Sequence, residues 1–306
     1  MTDAPLRHVV RRPAEARYEP PPALAAHCSG FGVWNCVDET TPGAVHTGFR
    51  MCRLDAGGAV NACVASYEQG VYVLDGEVVL QTTEGAALLR PGDYAMVPVG
   101  VAHAWRNESG ATATWAQMIA PQPRARLGED LHVVPPLAAT EPEPVNPRDP
   151  RNRRHGHIAD ENMEVDKQSQ EYLAVSASMR TALLVYSGIT VKMMVDSELG
   201  ADHTTMFMVK YDPDGVAGPH DHPYEETYLF LEGRAEGTFD GQSYELGPGD
   251  VAFAGVGCVH SFRNLGRGRL QWLETQAPQP PKRNSYRYRR DWEYLAAKLA
   301  EGEEST

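Results

Sequence analysis

Short runs of apolar and aromatic residues, broken at close spacing by glycine, proline and aspartate, recur in both halves of the chain. The runs HTTMFMVKY, ETYLFLEG, DVAFAGV and RLQWLETQ are rich in the β-branched and aromatic residues that favour strands. FDGQ, which starts at Phe239, supplies the Asp-Gly pair of a tight hairpin turn. Short strands joined by frequent turns predict an all-β sandwich or barrel.

This pattern is repeated within the chain. LRPGDYAMVPVGVAHAWRN, which starts at Leu89, aligns with LGPGDVAFAGVGCVHSFRN, which starts at Leu246, so that His103 corresponds to His260 at an offset of 157 residues. The same offset holds without a gap from about residue 46 to residue 123, and it pairs His46-Thr47 with His203-Thr204. An internal duplication of one β-domain explains this match.

The duplication predicts two barrels, over residues 1–123 and 176–283, with a linker over 124–175. The linker contains VPPLAATEPEPVNPRDPRNRRHGH, whose proline and arginine content is typical of a segment that crosses a surface in extended form. It is longer than an ordinary loop, so we expect part of it to pack on one domain; a substrate-gating segment is the alternative. Trp292, Leu295 and Leu299 stand at helical spacing and predict a C-terminal helix or tail over 284–306.

The most informative polar pattern is His220, His222 and Glu226. Residues i and i+2 of a strand share a face, so the two imidazoles point the same way, and Glu226 joins them if the strand continues past Pro223. Such groups on a buried face are costly unless a partner satisfies them. A divalent cation would do so, with His260 as the fourth candidate ligand, and would keep open positions for water, O₂ or a substrate.

Two segments carry a resemblance to a known family. GPHDHPYEETYLFLEG and GPGDVAFAGVGCVHSFRN resemble the two motifs of the cupin superfamily, and the duplicated chain resembles a bicupin over roughly residues 45–123 and 200–280. The matching positions are Gly218, His220, His222, Glu226 and Gly233 in the first motif and Gly247, Gly249, His260 and Asn264 in the second, where Ala254 or Gly255 replaces the usual proline. The resemblance implies tandem jelly-roll (double-stranded β-helix) barrels. It also implies one divalent transition metal in the C-terminal barrel, foremost Fe²⁺ or Mn²⁺, with Zn²⁺ or Ni²⁺ as alternatives.

The first repeat lacks the ligand pattern. Cys63, Ala65 and Gln69 stand where the second repeat has His220, His222 and Glu226, and only His103 is retained. The N-terminal barrel is therefore predicted to have a degenerate metal site and a structural role. Glu225 has a counterpart, Glu68, in this repeat, whereas Glu226 does not, so Glu226 is the predicted ligand.

Alternation along the strands also predicts the surroundings of the metal. Tyr228 is a candidate hydrogen-bond donor to a metal-bound oxygen, and His203 is a candidate acid or base; a phenol at the barrel rim and a surface histidine are the alternatives. The predicted substrate-pocket residues, which also suit a plain hydrophobic core, are Met206, Met208, Phe230, Phe253, Phe262 and Trp272.

Net charge and composition limit the classes of partner that this protein is expected to bind. The net charge of −13 argues against nucleic-acid and anionic-membrane surfaces. The five cysteines form no C-x-x-C pair, and no apolar run approaches the length of a membrane span, so we expect a cytoplasmic protein that binds a small molecule. A homodimer is expected from fold analogy alone.

Three classes of function fit this sequence. The first is a non-haem Fe(II) dioxygenase, and the second is a Mn-, Zn- or Ni-dependent hydrolase, aminohydrolase, decarboxylase or isomerase. The third is a cupin that binds a metal or small molecule without catalysis. The layout is similar to ureidoglycine aminohydrolases, but the His220-x-His222 pair departs from their ligand set. Oxalate decarboxylases are also bicupins, but they keep both metal sites.

Overall fold

The structure is a computed structural model that describes residues 6–147, 154–164, 186–197 and 199–279. These residues form twenty β-strands in two curled sheets, together with short 3₁₀ segments at Pro13–Glu15, Pro22–Leu24, Ala125–Asp130 and Asp160–Met163. No helix in these ranges is long and apolar enough to cross a membrane. The predicted C-terminal helix over 284–306 lies outside the described residues.

The first strand, β1 (His8–Arg11), joins the second sheet, and the next eleven strands form the first sheet. These are β2 (Cys28–Val37), β3 (Gly48–Ala65), β4 (Glu68–Asp75), β5 (Val78–Thr82), β6 (Gly85–Leu89), β7 (Asp93–Val97), β8 (His103–Arg106), β9 (Ala113–Ala120), β10 (Leu131–Val133), β11 (Glu143–Pro144) and β12 (His155–His157). Their order is β11-β6-β5-β8-β3-β9-β4-β7-β12, and β2 and β10 also pair with β3.

The second sheet repeats this arrangement at the offset of the duplication. Its strands besides β1 are β13 (Tyr186–Val195), β14 (Thr205–His220), β15 (Glu225–Glu232), β16 (Ala235–Phe239), β17 (Gln242–Leu246), β18 (Val251–Ala254), β19 (His260–Asn264) and β20 (Leu270–Ala277). The order is β1-β18-β15-β20-β14-β19-β16-β17, with β13 also paired to β14. The two sheets are therefore the two predicted jelly-roll barrels, and the all-β prediction is confirmed.

Three apolar clusters make up the core. One fills the first barrel around Trp105 and Trp115, and one fills the second barrel around Phe230 and Trp272. The third contains residues of both sheets and therefore lies between the barrels. Because β4 and β15 contribute to an interior on one face and to this interface on the other, both strands are buried on both faces over most of their length.

The cluster between the barrels corrects part of the predicted pocket. Met206, Met208 and Phe253 pack there, against the first barrel, and not in the interior of the second. Their counterparts at the offset of 157, which are Phe49, Met51 and Met96, belong to the same cluster. The interior positions of β14 are Phe207, Val209 and Tyr211, one residue out of phase with the prediction. The error arose because both faces of β14 are apolar, so that alternation alone does not identify the inner one.

The barrels exchange their edge strands. β1, from the start of the chain, pairs antiparallel with β18 of the C-terminal barrel, and β12, from the segment before that barrel, pairs antiparallel with β7 of the N-terminal one. The predicted N-terminal domain of residues 1–123 therefore includes a strand, His8–Arg11, that belongs structurally to the other barrel. β10, β11 and β12 all come from the predicted linker and all pair within the first sheet, so part of the linker does pack on one domain.

A reciprocal pair of glutamates also joins the barrels. The Glu225 carboxylate accepts hydrogen bonds from the backbone N–H groups of residues 45–47 at 2.7–3.1 Å. Glu68 accepts from the backbone N–H groups of residues 202–204 at 2.7–3.4 Å, and from the hydroxyl of Thr204. Each barrel thus holds the loop that leads into the other, which gives both repeats the same reason to carry this glutamate.

Candidate metal centre

Three histidines and a glutamate meet at one end of the C-terminal barrel. β14 ends at His220 and β15 begins at Glu225, so His222 lies in the loop between them and the strand does not continue past Pro223 as assumed. The groups meet because the barrel curls: β14 and β15 are both neighbours of β20, and His220 pairs across to His260 at the start of β19.

The donor atoms of this group lie close enough to share one ion. Those of His220, His222 and His260 are all within 4.8 Å of one another. The Glu226 carboxylate approaches His260 Nε2 at 3.1 Å through Oε2 and His222 Nε2 at 3.5 Å through Oε1. Glu226 and His260 are buried, whereas His220 and His222 are half-buried, so the site opens on the side of the latter two.

The hydrogen bonds of the imidazoles fix which nitrogen is available. Nδ1 of His220 lies 2.7 Å from the carbonyl oxygen of Gly218, and Nδ1 of His260 lies 2.9 Å from that of Cys258. A carbonyl only accepts, so both Nδ1 atoms carry the proton and both Nε2 atoms present a lone pair. The lone pair of His260 then faces a carboxylate oxygen of Glu226, and two acceptors in contact require a proton or a cation between them. This donor set fits a divalent transition metal.

The electrostatics of the site keep these ligands ready for a cation. Burial, together with the neighbouring His260, lowers the pKa of His220 to about 4, and burial also lowers the pKa of His222. Burial opposes the ionisation of Glu226, but its interactions with His260 and His222 outweigh burial and lower the pKa of this carboxyl. Near pH 7 the centre therefore presents neutral His220 and His222 and an ionised carboxylate, the forms that bind metals.

A second carboxyl group, Glu274, stands behind Glu226. Trp272 donates its indole N–H to Glu274 at 2.9 Å, and burial and the nearby Glu226 charge raise the Glu274 pKa well above its usual range. Gln276, two residues after Glu274, donates to Oε1 of Glu226 at 2.8 Å. Sequence reasoning missed both residues. One signal for Glu274 was present: the first repeat has glutamine at the position of each glutamate, Gln69 for Glu226 and Gln117 for Glu274.

The aromatic residues predicted for the pocket form a layer beneath the ligands. The Tyr228 side chain is fully buried, its hydroxyl donates to Glu226, and its oxygen lies 3.0 Å from His260 Nε2. It packs on Phe262 (ring centroids 4.7 Å apart), which packs on Trp272 (5.0 Å). Phe230 contacts Trp272 at 5.4 Å. Of these side chains only Tyr228 touches the ligands through a polar atom.

Two residues outside the strands change the predicted surroundings of the metal centre, His203 and Tyr224. His203 is exposed and precedes β14, and its described hydrogen bonds are those of its backbone, to Glu68 and from Gln279. Among the described contacts, none joins its ring to the three histidines. Tyr224, which the sequence did not single out, stacks on His222 with centroids 4.7 Å apart and planes 7° from parallel.

The corresponding end of the N-terminal barrel contains a hydrogen-bonded chain. Gln69 lies 3.1 Å from His103 Nε2, with Cys63 Sγ 3.7 Å from the same nitrogen. Gln117 donates to Gln69 and accepts from the Arg50 guanidinium at 2.6 Å. Both candidate metal clusters found among the described residues lie on the C-terminal barrel.

Comparison with known protein families identifies the same domain in both barrels. The profile of the Cupin domain family matches residues 50–119 and again residues 207–275, which span the matching strands of the two sheets. Both barrels are cupin domains, and the chain is a bicupin. Its curated relatives include the quercetin 2,3-dioxygenase of Bacillus subtilis (strain 168), which is 25% identical over 214 residues. That match covers 64% of the bicupin and 62% of the dioxygenase.

Solved structures resemble the whole bicupin in fold. A glyoxylate-induced protein from Pseudomonas aeruginosa superposes with a TM-score of 0.60 at 15% identity, covering 94% of this chain and 95% of its own. The oxalate decarboxylase of Lactobacillus farciminis gives 0.59 at 13% identity, over 89% and 86% of the two chains. The salicylate 1,2-dioxygenase of Pseudaminobacter salicylatoxidans gives 0.59 at 13% identity, over 76% and 71%.

Proposed function

We propose that this bicupin is a metal-dependent enzyme that acts on a small organic molecule at the C-terminal barrel, as a non-haem Fe(II)-type dioxygenase. The observation that carries the proposal is the convergence of His220, His222, His260 and Glu226 at one opening of an aromatic-filled barrel. A bound Fe(II) would supply a redox-active centre with open positions for O₂ and substrate. The similarity to a quercetin dioxygenase supports this class of reaction.

The surrounding residues hold the ligands in place. Tyr228 and Gln276 each donate to a different oxygen of Glu226, which fixes the plane of the carboxylate. Backbone carbonyls orient His220 and His260 through their Nδ1–H groups. The buried aromatic layer below Tyr228 closes the barrel floor to water, so that a substrate approaches from the side of His220 and His222.

The buried acid Glu274 favours a second candidate, a non-redox reaction such as decarboxylation. Burial and the charge of the neighbouring Glu226 raise the pKa of this carboxyl group and so favour its protonated form. A reaction that ends with proton delivery to a carbanion needs such a reservoir, whereas an oxygenation does not. The resemblance in fold to an oxalate decarboxylase makes this alternative worth testing beside the first.

Metal analysis and oxygen uptake separate the two candidates. The protein is purified without added metal, its metal content is measured, and separate samples are loaded with Fe²⁺, Mn²⁺, Zn²⁺ or Ni²⁺. Each is tested for O₂ uptake with flavonols such as quercetin, with salicylate and with small diketones, and for CO₂ release from oxalate. Substrate-dependent O₂ uptake by the Fe²⁺ sample alone supports the dioxygenase.

Controls assign any activity to the proposed centre. Glu226→Gln should abolish turnover, while His103→Ala, at the equivalent position of the other barrel, should leave turnover intact. CO₂ release without O₂ uptake that also requires Glu274 would overturn the dioxygenase in favour of the second candidate. Activity that survives Glu226→Gln would refute both.

A further inference from the structure

A second cluster of metal-type ligands lies next to the proposed centre but shares no residue with it. It consists of His8 on the exchanged strand β1, Asp240 in the turn between β16 and β17, and Cys258 in the loop before β19. One donor atom from each lies within 4.8 Å of the other two. The fold thus brings the imidazole of His8 to a carboxylate and a thiol that lie more than 200 residues further along the chain.

The hydrogen bonds around His8 leave one ring nitrogen bare. The Tyr244 hydroxyl donates to Gln242 at 2.9 Å, so its oxygen accepts from His8 Nε2–H at 3.0 Å. The other nitrogen, Nδ1, then carries a lone pair. It is buried and has no hydrogen-bond partner among the described residues. The whole His8 side chain is only 1% exposed. A buried acceptor left unsatisfied is unfavourable, which indicates that a ligand belongs there.

The other two donors are placed to complete a site. Asp240 accepts two hydrogen bonds from Arg7, at 2.8 and 3.0 Å, and one from the backbone N–H of Val259 at 3.1 Å. A carboxylate has about four lone-pair positions, so one remains, on the oxygen that Arg7 Nε contacts. The Cys258 thiol is buried, and its sulfur lies within 4.8 Å of the donor atoms that His8 and Asp240 offer.

We propose that His8, Asp240 and Cys258 bind a Zn²⁺ ion as its three protein ligands. The combination of imidazole nitrogen, carboxylate oxygen and thiolate sulfur suits zinc, and hard cations such as Mg²⁺ or Ca²⁺ avoid sulfur. On binding, the thiol proton is released to solvent and the sulfur bonds the metal. Tyr244 orients the imidazole through its second nitrogen, as outer hydrogen-bond partners do at zinc sites.

The site would fasten the exchanged strand to the barrel that it completes. His8 pairs with Ala254 at the end of β18, whereas Asp240 and Cys258 belong to a turn and a loop of the C-terminal barrel itself. A cation bound by all three residues would link strand β1 to the C-terminal barrel, next to the loop that precedes His260. Because the ion binds the folded state, it raises stability in proportion to the logarithm of its concentration above Kd.

Cobalt substitution tests the proposal without any activity assay. Metal-free protein is titrated with Co²⁺, and thiolate ligation is read from a sulfur-to-cobalt charge-transfer band in the near ultraviolet. The proposed catalytic centre contains no sulfur, so it cannot produce this band. We expect two Co²⁺ ions per chain and a band that is lost in Cys258→Ser and in His8→Ala but retained in the matched variants Cys28→Ser and Cys63→Ser.

Several outcomes would overturn the site. They are saturation at one ion per chain with no charge-transfer band, a band that survives Cys258→Ser, or a band that disappears in Cys63→Ser. To exclude misfolding, the Cys258→Ser protein must still bind one Co²⁺ at the histidine centre. In the double variant His220→Ala/His222→Ala, Zn²⁺ should still raise the melting temperature, and adding Cys258→Ser should remove that rise.

Discussion

The two barrels carry oppositely charged groups in their interiors, and each of these charged residues has a neutral counterpart in the other barrel. In the N-terminal barrel the buried guanidinium of Arg50 donates to Gln117, and the chain continues through Gln69 to His103. In the C-terminal barrel the equivalents of Gln117 and Gln69 are Glu274 and Glu226, and the equivalent of Arg50 is Phe207. One interior thus contains its own fixed cation among neutral amides, while the other contains acidic groups and imidazole lone pairs and no fixed cation among these positions.

This difference shows how one scaffold supports or loses a metal site. A barrel interior tolerates buried polar groups only when each is satisfied. The N-terminal barrel satisfies them within the chain, through a guanidinium and two glutamines. The C-terminal barrel leaves the lone pairs of His220 and His260 facing a common point beside an ionised carboxylate, which an exchangeable cation satisfies.

The largest expected effect is loss of the metal from one barrel only. His220→Ala, His260→Ala and Glu226→Gln should each lower the metal content by one ion per chain, because each removes a donor from the point that these side chains share. His103→Ala should retain the wild-type metal content, measured by elemental analysis after dialysis. Equal metal loss in His103→Ala would show that the barrels are not divided in the way proposed.

The reciprocal glutamates should matter equally in both barrels, unlike the metal ligands. Glu68→Gln and Glu225→Gln should each lower the free energy of unfolding by about 2–3 kcal/mol, since hydrogen bonds to a buried carboxylate are charge-assisted. Urea denaturation measures this. Glu232→Gln, which removes only a surface ion pair with Arg269, is the control, with an expected loss below about 1 kcal/mol. If Glu68→Gln and Glu225→Gln differ clearly in their free energies of unfolding, the two glutamates do not have equivalent roles in the two barrels.

Removal of the internal cation should cost somewhat less. Arg50→Met should destabilise the protein by about 1–3 kcal/mol, because it leaves the buried Gln117 carbonyl oxygen with only the weak thiol donor of Cys52. The double variant Arg50→Met/Gln117→Leu should recover part of that loss, since both polar partners are then gone. If the double variant is as unstable as the sum of its single changes, the two side chains do not act as a pair.

The last expected effect concerns pH in the metal-free protein. His220 has a pKa of about 4 in the folded state, below the ordinary 6.5, so the unfolded chain binds the proton first as the pH falls. This histidine therefore leaves stability unchanged above about pH 6.5 and lowers it progressively between pH 6.5 and 4. Denaturation across this range, compared with His220→Ala, should reveal the difference, and NMR of the ring should give a midpoint near 4. A midpoint near 6.5 would contradict the buried, neutral ligand.

The sequence predicted the features that have a local signature. Closely spaced turns and the repeat indicated two barrels, and the i, i+2 spacing of His220 and His222 indicated ligands. The inner face of β14 was not predictable in the same way, because Met206 and Phe207 are both buried, on opposite faces. Glu274 was missed for a related reason: its contact with Glu226 depends on strands β15 and β20 being neighbours, which no local pattern encodes. The pairing of His8 with Ala254 is still more remote in sequence.

Because the barrels exchange edge strands, neither barrel is complete when it is produced without the other. A gene fragment that encodes only the C-terminal barrel would lack β1 and would expose the hydrogen-bonding edge of β18 to other chains, a common start of aggregation. A fragment that encodes only the N-terminal barrel and ends before β12 would expose β7. The half without the histidine centre therefore cannot be discarded, because its leading segment is a structural part of the half that has one.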